Sequence, residues 1–391
     1  MGGSSQKVIL LGSTGSIGTS TLNCIRRFPD RFKVSALAAG TNIGLLCRQI
    51  EEFHPEAVSI AGMRHAQLLR ERFGAAVRIV DGPDSLERLV EQTESGIVVN
   101  ALVGAVGLRP TMAGLKKNNR VALANKESLV IGGDLITALL AEGNGELVPV
   151  DSEHSAILQC LSGTNAAATI ESIILTASGG PFRNLALDKF GAITPEEALN
   201  HPTWAMGKKI TIDAATLMNK GFEVIEAHHL FSLPYEQLRV WIHPQSIIHS
   251  LVEFYDGALL AQLGCPDMEL PIQYALGYPT RLPLAGKRLS LPQIGCLDFQ
   301  EPDFDRFPCL RLCIDAGRQG GTAPAVVNAA NEIAVAAFLD KTISFTDIAV
   351  VVEEALSRQS TQPAASIDAV EAADTAARRH AQETIVRKGS V

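Results

Sequence analysis

Short apolar runs alternate with amphipathic stretches through the first 150 residues of the chain. The runs are rich in Val, Ile and Ala, as expected of buried strands. In the intervening stretches, such as Ser16–Phe28 and Glu127–Ala141, the apolar residues recur with a helical period. Repeated strand–helix units predict a mostly parallel sheet covered by helices. The predicted strands are Lys7–Leu11, Lys33–Ala39, Ala57–Ile60, Val77–Val80, Ile97–Asn100, Arg120–Ala124 and Glu146–Val150.

The pattern is less regular after residue 150. Strands are predicted at Ser172–Thr176, Lys209–Asp213, Val240–Ile242, Ser246–Phe254 and Ala258–Leu263, and a helix at Ala214–Phe231. Residues 278–308 are rich in proline and lack periodicity, so they predict a linker. Helices are predicted from there on, at Leu310–Ala316, Ala323–Asp340, Phe345–Arg358 and Ser366–Val386. We therefore expect an α/β chain with an N-terminal parallel-sheet domain (1–150), a central α+β domain (151–277), a linker (278–308) and a C-terminal helical bundle (309–391).

Composition narrows the class of protein. The 391 residues are 46% hydrophobic and carry a net charge of −8, which argues against a nucleic-acid or anionic-membrane surface. Seven cysteines include no Cys-x-x-Cys pair, as expected of reduced thiols rather than a disulfide framework. We find no targeting segment and no apolar run long enough to span a bilayer. The expectation is a soluble, cytoplasmic protein without nucleic-acid or membrane partners.

A glycine-rich loop follows the first predicted strand. It reads Gly12-Ser13-Thr14-Gly15-Ser16-Ile17-Gly18 and opens directly into a helix. Glycines at such a junction let the backbone approach a pyrophosphate, which binds the N–H groups of the helix start. The alternative is an ordinary glycine-rich turn, but the strand before and the helix after favour a Rossmann-like dinucleotide site.

The end of the second predicted strand bears on cofactor choice. It reads Ala38-Ala39-Gly40-Thr41-Asn42, without the acidic residue that usually binds the ribose 2′-hydroxyl of NAD. This absence favours NADP. No basic residue is present either, so Thr41 and Asn42 would have to bind the 2′-phosphate.

Two carboxylates follow the last strand of the first domain, at Asp151 and Glu153. On an extended strand end, residues two apart point to one side, so both could face one cation. The alternative is a solvated turn followed by a helix N-cap. A third candidate is Glu223, on the helical face that it shares with Lys220; the alternative there is a surface ion pair.

Further candidate residues lie in three segments. Asn125-Lys126-Glu127 follows a strand end and could either face the ligand crevice or cap a helix. Ser178-Gly179-Gly180 offers a hydroxyl and backbone N–H groups for an anion. His201-Pro202-Thr203-Trp204-Ala205-Met206-Gly207 could close over a ligand, although Trp204 could instead be a packing anchor.

Six motifs follow one another in an order that resembles the 1-deoxy-D-xylulose 5-phosphate reductoisomerase family over nearly the whole chain. The resemblance implies an NADPH- and divalent-metal-dependent homodimer of non-mevalonate isoprenoid biosynthesis. Its substrate would be a phosphorylated sugar, 1-deoxy-D-xylulose 5-phosphate, and its product 2-C-methyl-D-erythritol 4-phosphate. The motifs are Gly12–Gly18, Asn125–Ser128, Pro149–His154, Ser178–Phe182, His201–Gly207 and Met218–Gly221.

The resemblance also implies residue roles. Asp151, Glu153 and Glu223 would bind Mg²⁺ or Mn²⁺, the cations that carboxylate cages favour. Lys126 and Ser152 would contact the hydroxyketone oxygens, and His201 and Trp204 would close over the substrate. The phosphate would be held by Ser178, Asn219 and Lys220. NADPH would contact Thr14, Gly15, Ser16, Ile17, Gly40, Thr41, Asn42, Asn125, Glu127 and Gly207.

Two positions depart from the family pattern. Thr41 stands where a basic residue is common, and Ala214 stands where a serine usually donates to the phosphate. Two other functions fit these residues less well. A semialdehyde dehydrogenase would need a catalytic cysteine at a strand–helix junction, whereas Cys160 lies in a helical pattern. A nucleotide-sensing regulator would have no use for three carboxylates.

Overall fold

A computed structural model describes residues 5–162, 169–204 and 206–389. The described chain is α/β and divides into two compact units. The first contains residues 5–128, Ile136–Ser155 and Met268–Gly286, and the second Leu129–Leu135, Ala156–Asp267 and the chain from Lys287 onward. The functional domain boundaries expected from the sequence stay a prediction. Among the described residues, no helix is both long enough and apolar enough to cross a membrane.

The first unit contains a seven-stranded parallel sheet. Its strand order is β4-β3-β2-β1-β5-β6-β7. From β1, strands β2 to β4 follow on one side of the sheet and strands β5 to β7 on the other. Such a reversal of the strand order leaves a crevice at the carboxyl ends of β1 and β5, where ligands bind in open parallel sheets. All seven strands predicted from the apolar runs are confirmed, with shifts of one residue at some ends. The strands are β1 (Gln6–Leu11), β2 (Phe32–Ala39), β3 (Ala57–Ile60), β4 (Arg78–Val80), β5 (Ile97–Asn100), β6 (Arg120–Leu123) and β7 (Glu146–Pro149).

Burial explains why these runs form strands. Val8, Ile9, Leu10 and Leu11 are all fully buried, because in a parallel sheet apolar residues face cover on both sides. The helices between the strands are α1 (Ser16–Arg27), α2 (Ile43–Phe53), α3 (Met63–Phe73), α4 (Ser85–Gln92), α5 (Leu108–Lys116), α6 (Lys126–Ala141) and, after β7, α7 (Ser152–Leu161).

The second unit contains a four-stranded mixed sheet. Its strands are β8 (Ile170–Ala177), β9 (Leu238–Ile242), β10 (Ile248–Phe254) and β11 (Leu259–Leu263), in the order β11-β10-β8-β9. Strands β8 and β9 are parallel, while β10 is antiparallel to both β8 and β11. The predicted strands at 172–176, 240–242, 246–254 and 258–263 are thereby confirmed.

The strand predicted at Lys209–Asp213 is wrong, because these residues lie in a helix, α9 (Lys208–Ala215). The β-branched Ile210, Thr211 and Ile212 suggested a strand. Contacts between neighbouring turns stabilise the helix instead: Lys209 Nζ lies 3.0 Å from Asp213 Oδ2, and Thr211 Oγ1 donates to the Gly207 carbonyl.

The helix predicted over Ala214–Phe231 is also interrupted. Leu217 has a left-handed backbone conformation, with φ 59° and ψ 11°. It separates α9 from the next long helix, α10 (Met218–Phe231). A left-handed residue cannot continue a right-handed helix, so the break re-aims the residues that follow it.

The remaining helices include the four predicted after residue 309, which are confirmed. Alanine and valine line the buried side of α14, where small side chains allow close helix packing. The bounds are α8 (Pro195–Ala198), α11 (Glu269–Gly277), α12 (Leu291–Ile294), α13 (Pro308–Gln319), α14 (Ala323–Leu339), α15 (Asp347–Arg358) and α16 (Ile367–Gly389).

Candidate active site

The glycine loop joins β1 to α1 at the crevice of the parallel sheet. Gly12 has φ +83°, and a β-carbon there would lie 2.3 Å from the Ala101 carbonyl oxygen. A β-carbon on Gly18 would lie 2.2 Å from the Gly12 carbonyl oxygen. Only glycine fits these two positions, so the backbone between them stays accessible to a pyrophosphate. Thr14, Gly15, Ser16 and Ile17 lie on this loop and at the start of α1.

A glutamine that no sequence motif marks holds the glycine loop in place. Gln49 on α2 accepts a hydrogen bond from Ser13 Oγ at 2.7 Å and donates Nε2 to the Ser13 carbonyl at 2.9 Å. Both residues are buried. The two bonds fix the side chain and the backbone of Ser13 together, which orients the glycine loop. Gln49 and Ser13 are 36 positions apart, so no local sequence signal connects them.

Gly40, Thr41 and Asn42 follow β2 and are exposed. Asn42 is the N-cap of α2, and its Oδ1 accepts the Leu45 N–H at 3.1 Å. The side-chain oxygen of Asn42 is therefore already used to cap the helix, whereas Thr41 has an exposed side chain.

Asn125 is the N-cap of α6, which was one of the two roles expected for the segment Asn125-Lys126-Glu127. Its Oδ1 accepts the Ser128 N–H at 3.1 Å, and its Nδ2 donates to the carbonyls of Leu102 and Gly104 and to Glu127 Oε2. Glu127 is thus tied to the same network. This buried side chain fixes the loop after β5, beside the crevice.

Asn100, at the carboxyl end of β5, belongs to the same network and was missed from the sequence. Its Nδ2 donates to the Gly107 carbonyl at 2.9 Å and to Thr111 Oγ1 at 2.8 Å. Asn100 is fully buried, and a buried amide needs internal partners, which only the fold brings within reach.

Asp151 and Glu153 come together at the start of α7. The expected arrangement, an extended strand end, is wrong: β7 ends at Pro149, and Ser152 and Glu153 are in the first turn of the helix. Asp151 Oδ1 accepts the Glu153 N–H at 3.3 Å. A ligand oxygen of each carboxylate lies within 4.8 Å of the other, a separation that one divalent cation can bridge.

Lys126 compensates the charge of Asp151. Its Nζ lies 2.7 Å from Asp151 Oδ2, and both side chains are largely buried. Burial alone would raise the pKa of Asp151, but the charge of Lys126 and the approach of His154 Nδ1, 3.5 Å from Asp151 Oδ1, hold it well below its usual range. Ser152 Oγ donates to Glu153 Oε2. Lys126, Asp151, Ser152 and Glu153 therefore form one polar cluster in the first unit.

Glu223 belongs to a second polar cluster, on α10. Its carboxylate accepts from Asn219 Nδ2 at 2.5 Å and pairs with Lys220 Nζ. Lys220 and Glu223 are 4% and 1% exposed, so the alternative of a surface ion pair is wrong. Asn219 Oδ1 is buried and has no hydrogen-bond partner in the described part of the chain. A buried charge pair beside an unsatisfied amide oxygen is a configuration that a polar ligand would complete.

Ser178 and His201 meet in the second unit. Ser178 follows β8, and its Oγ lies 3.0 Å from His201 Nε2. Trp204 packs its ring against His249, with centroids 6.3 Å apart. Gly180 packs on the backbone of α9, because a β-carbon there would lie 3.0 Å from the Ala214 carbonyl oxygen. Ala214 is therefore adjacent to the Ser178–Gly180 turn. Gly207 is the N-cap of α9.

A parallel sheet with a glycine loop at its switch point is the arrangement in which dinucleotide-dependent oxidoreductases bind their cofactor. Family matches cover most of the chain: 1-deoxy-D-xylulose 5-phosphate reductoisomerase at residues 8–133, its C-terminal domain at 147–231 and the DXP reductoisomerase C-terminal domain at 263–380. The chain belongs to the 1-deoxy-D-xylulose 5-phosphate reductoisomerase family.

Relatives of that name agree over the full length. A protein of Chlorobium phaeobacteroides (strain BS1) is 52% identical over 370 residues, covering 94% of this chain and 97% of its own. One from Bacillus cereus is 48% identical, covering 97% and 99%. The solved Zymomonas mobilis enzyme in complex with NADPH has 43% identity and a TM-score of 0.91, covering 97% and 99%. A reductoisomerase solved with NADPH, fosmidomycin and magnesium has 40% identity and a TM-score of 0.92, covering 97% and 98%.

Proposed function

We propose that this protein converts 1-deoxy-D-xylulose 5-phosphate to 2-C-methyl-D-erythritol 4-phosphate with NADPH and a divalent cation, as a step of non-mevalonate isoprenoid biosynthesis. Full-length family membership is the observation that carries the proposal. Relatives that match almost the whole chain bear the enzyme's name, and one solved relative binds NADPH and magnesium together. The polar clusters on α7 and α10 supply groups suited to that chemistry.

The residues of the site fit both NADPH and a divalent cation. The crowded positions of Gly12 and Gly18 keep a loop open to the pyrophosphate of NADPH, and Thr14–Ile17, Gly40–Asn42, Asn125, Glu127 and Gly207 would hold the cofactor. Asp151 and Glu153 offer the oxygen ligands that Mg²⁺ and Mn²⁺ prefer, and Glu223 would be the third. When bound, NADPH supplies a hydride and the cation supplies Lewis-acid stabilisation of negative charge on the substrate oxygens.

The protein's own residues would bind and orient the substrate. Lys126 lies beside Asp151 and would donate to a hydroxyketone oxygen, together with Ser152. Ser178, Asn219 and Lys220 would hold the phosphate, and this contact far from the reacting carbons would restrict their motion. His201 and Trp204 would cover the substrate and exclude water, which strengthens each electrostatic interaction inside.

Both alternative functions are disfavoured. A semialdehyde dehydrogenase requires a reactive cysteine, but Cys160 lies within α7 rather than at a strand–helix junction. A nucleotide-sensing regulator leaves the buried Lys126–Asp151 and Lys220–Glu223 pairs without a role. Holding such pairs out of water is costly, and a catalytic site gives a reason for that cost.

The assembly and the location are further parts of the proposal. We propose a cytoplasmic homodimer, as the family resemblance implies. Strand β11 is at the edge of its sheet, and Leu259 and Leu260 on it are 47% and 45% exposed. An exposed apolar edge strand suits pairing with a second copy. Analytical ultracentrifugation at micromolar concentration would show a monomer if this part of the proposal is wrong.

The function is tested by NADPH oxidation with 1-deoxy-D-xylulose 5-phosphate as substrate. We expect turnover that EDTA abolishes and that Mg²⁺ or Mn²⁺ restores. Asp151→Asn, Glu153→Gln and Glu223→Gln should each abolish turnover while NADPH still quenches protein fluorescence as in the wild type. Glu171→Gln, an exposed carboxylate on β8, is the matched control and should remain active. Turnover that is insensitive to EDTA would contradict the metal requirement.

A further inference from the structure

His201 is held by the backbone of its own loop. Its Nδ1 lies 3.2 Å from the Thr203 nitrogen and 3.0 Å from the Trp204 nitrogen. Both of these nitrogens are amide N–H groups and can only donate. Nδ1 must therefore be the acceptor of both bonds and cannot carry a proton. The loop conformation selects one tautomer of neutral His201, in which the proton is on Nε2.

That proton has a defined acceptor. Nε2 lies 3.0 Å from Ser178 Oγ, so His201 donates and the serine oxygen accepts. Ser178 Oγ also accepts the Gly180 N–H at 3.2 Å. A hydroxyl oxygen has two lone pairs and one hydrogen. Both lone pairs are engaged, and within the described residues no acceptor takes the hydrogen, so the Ser178 hydroxyl is left as a donor only.

The charges around the imidazole keep it neutral. Burial and the positive charge of Arg183 hold the pKa of His201 below its ordinary value. Arg183 donates NH1 to the Gly180 carbonyl at 3.2 Å and forms no ion pair with any residue that the structure describes. Its charge is therefore not cancelled by a neighbouring carboxylate. The turn that carries Ser178 thus combines an uncompensated cation with a hydroxyl that can only donate, which suits an anion.

We infer that His201 is a positioning residue that acts through Ser178: its Nε2–H occupies a lone pair of the serine hydroxyl and so directs the hydroxyl hydrogen toward the substrate phosphate. The inference rests on the proposed function, which supplies the phosphate. It assigns the loop a role besides covering the substrate. Closing the loop over Ser178 also prepares the phosphate site, so that covering and anchoring are coupled through one hydrogen bond.

A double-mutant cycle tests this coupling. His201→Asn keeps an oxygen that can accept the Thr203 and Trp204 N–H groups but is too short to reach Ser178. We expect Ser178→Ala to raise the KM for 1-deoxy-D-xylulose 5-phosphate about tenfold, as loss of a hydrogen bond to a charged group predicts. His201→Asn should raise it about three- to tenfold, and the double variant no more than the larger single effect. The control is Ser172→Ala on β8, the strand that precedes Ser178: it removes a hydroxyl bonded to Glu253 and should leave KM unchanged.

The tautomer provides a second, independent readout. In protein labelled with 15N-histidine, the His201 resonances, assigned by their loss in His201→Asn, should show a proton on Nε2 and none on Nδ1 near neutral pH. A proton on Nδ1, or KM effects that multiply in the double variant, would overturn the inference. Turnover of substrate by the wild-type enzyme tests the proposed function separately, because the tautomer is measured without substrate and does not depend on activity.

Discussion

Lys126 and Asp151 form a buried ion pair in the first unit, with Nζ of the lysine 2.7 Å from Oδ2 of the aspartate. Each residue follows the end of a strand, β6 or β7, and these strands are neighbours in the sheet. The pair thus joins two of the motifs that the sequence presents far apart. Because the charge of Lys126 is a main reason that the pKa of Asp151 is low, the lysine also keeps this carboxylate ionised.

Replacing Lys126 by Met should leave a buried carboxylate uncompensated. Breaking a buried pair in this way costs about 3–5 kcal/mol of unfolding free energy. The pKa of Asp151 should rise, so the acid limb of the activity profile moves to higher pH. A bound Mn²⁺ would replace the missing charge, so Mn²⁺ should raise the melting temperature of the variant more than that of the wild type. Equal Mn²⁺ shifts in the two proteins, measured by thermal denaturation, would contradict this.

Gln49 should control NADPH affinity without touching the cofactor. Gln49→Leu removes both bonds to Ser13 and frees the glycine loop, so we expect the KM for NADPH to rise about tenfold and the KM for the sugar phosphate to stay nearly constant. The matched control is Gln67→Leu, which removes only an exposed bond to Glu71. An unchanged Kd for NADPH in Gln49→Leu, measured by fluorescence quenching, would show that the loop needs no support.

Thr41→Arg should sharpen the choice of NADP over NAD. Thr41 is exposed after the end of β2, and the side-chain oxygen of Asn42 already accepts a hydrogen bond that caps α2. A guanidinium would add a charged donor to the 2′-phosphate, for a gain in discrimination of about tenfold, or about 1.4 kcal/mol. The ratio of kcat/KM for the two cofactors measures it. Comparable kcat/KM values for NADP and NAD in the native chain would show that neither Thr41 nor Asn42 recognises the phosphate.

Ala214→Ser should lower the KM for the phosphorylated substrate by a few-fold to about tenfold, with kcat nearly unchanged. The backbone of Ala214 lies against the Ser178–Gly180 turn, so an added hydroxyl would lie near the proposed phosphate site. The neighbouring hydroxyls do not replace it: Thr216 Oγ1 donates to helix carbonyls, as does Thr211 Oγ1. A raised KM in Thr216→Val with no effect of Ala214→Ser would assign the contact to Thr216.

His229 should make the fold sensitive to acid. Burial, then the charge of His228, lowers its pKa to about 4. In the unfolded chain its ordinary pKa applies, so the unfolded state takes up the proton first as pH falls. Stability present above about pH 6.5 should decline toward pH 4, by roughly 1–3 kcal/mol. Denaturant midpoints at the two pH values should differ less in His229→Gln than in the wild type. His54→Asn, an exposed position, should retain the wild-type difference.

The sequence predicts the parallel sheet well because each strand is an apolar run whose burial is required on both faces. It fails at α9, where β-branched residues favour a strand and contacts one helical turn apart, such as Lys209–Asp213, decide otherwise. The break at Leu217 could not be foreseen, since nothing local marks a leucine for a left-handed backbone. A residue there takes up that conformation only when the surrounding packing compensates its cost.

The candidate site shows the same division. Asp151, Lys126 and Ser178 are candidates from the sequence because short motifs carry them, and Glu223 is a candidate because it shares a helical face with Lys220. Gln49, Asn100 and Arg183 could not be identified, because their importance depends on partners brought close only by folding. The extended geometry expected for Asp151 and Glu153 is wrong because of where the next helix begins. The predicted strand ends at Val150, but α7 already begins at Ser152. A helix start, and not an extended strand end, therefore brings the carboxylates together.

The first compact unit is not a continuous piece of chain. It is completed by residues Met268–Gly286, where Arg27 of α1 pairs with Glu269 of α11 and Arg120 lies over the Tyr278 ring at 5.6 Å. During translation, this unit can complete its folding only after the segment Met268–Gly286 has left the ribosome, when more than half of the protein has been made. Proteolysis or gene truncation near residue 150 would therefore release an incomplete N-terminal fragment with an exposed apolar flank, a natural target for chaperones.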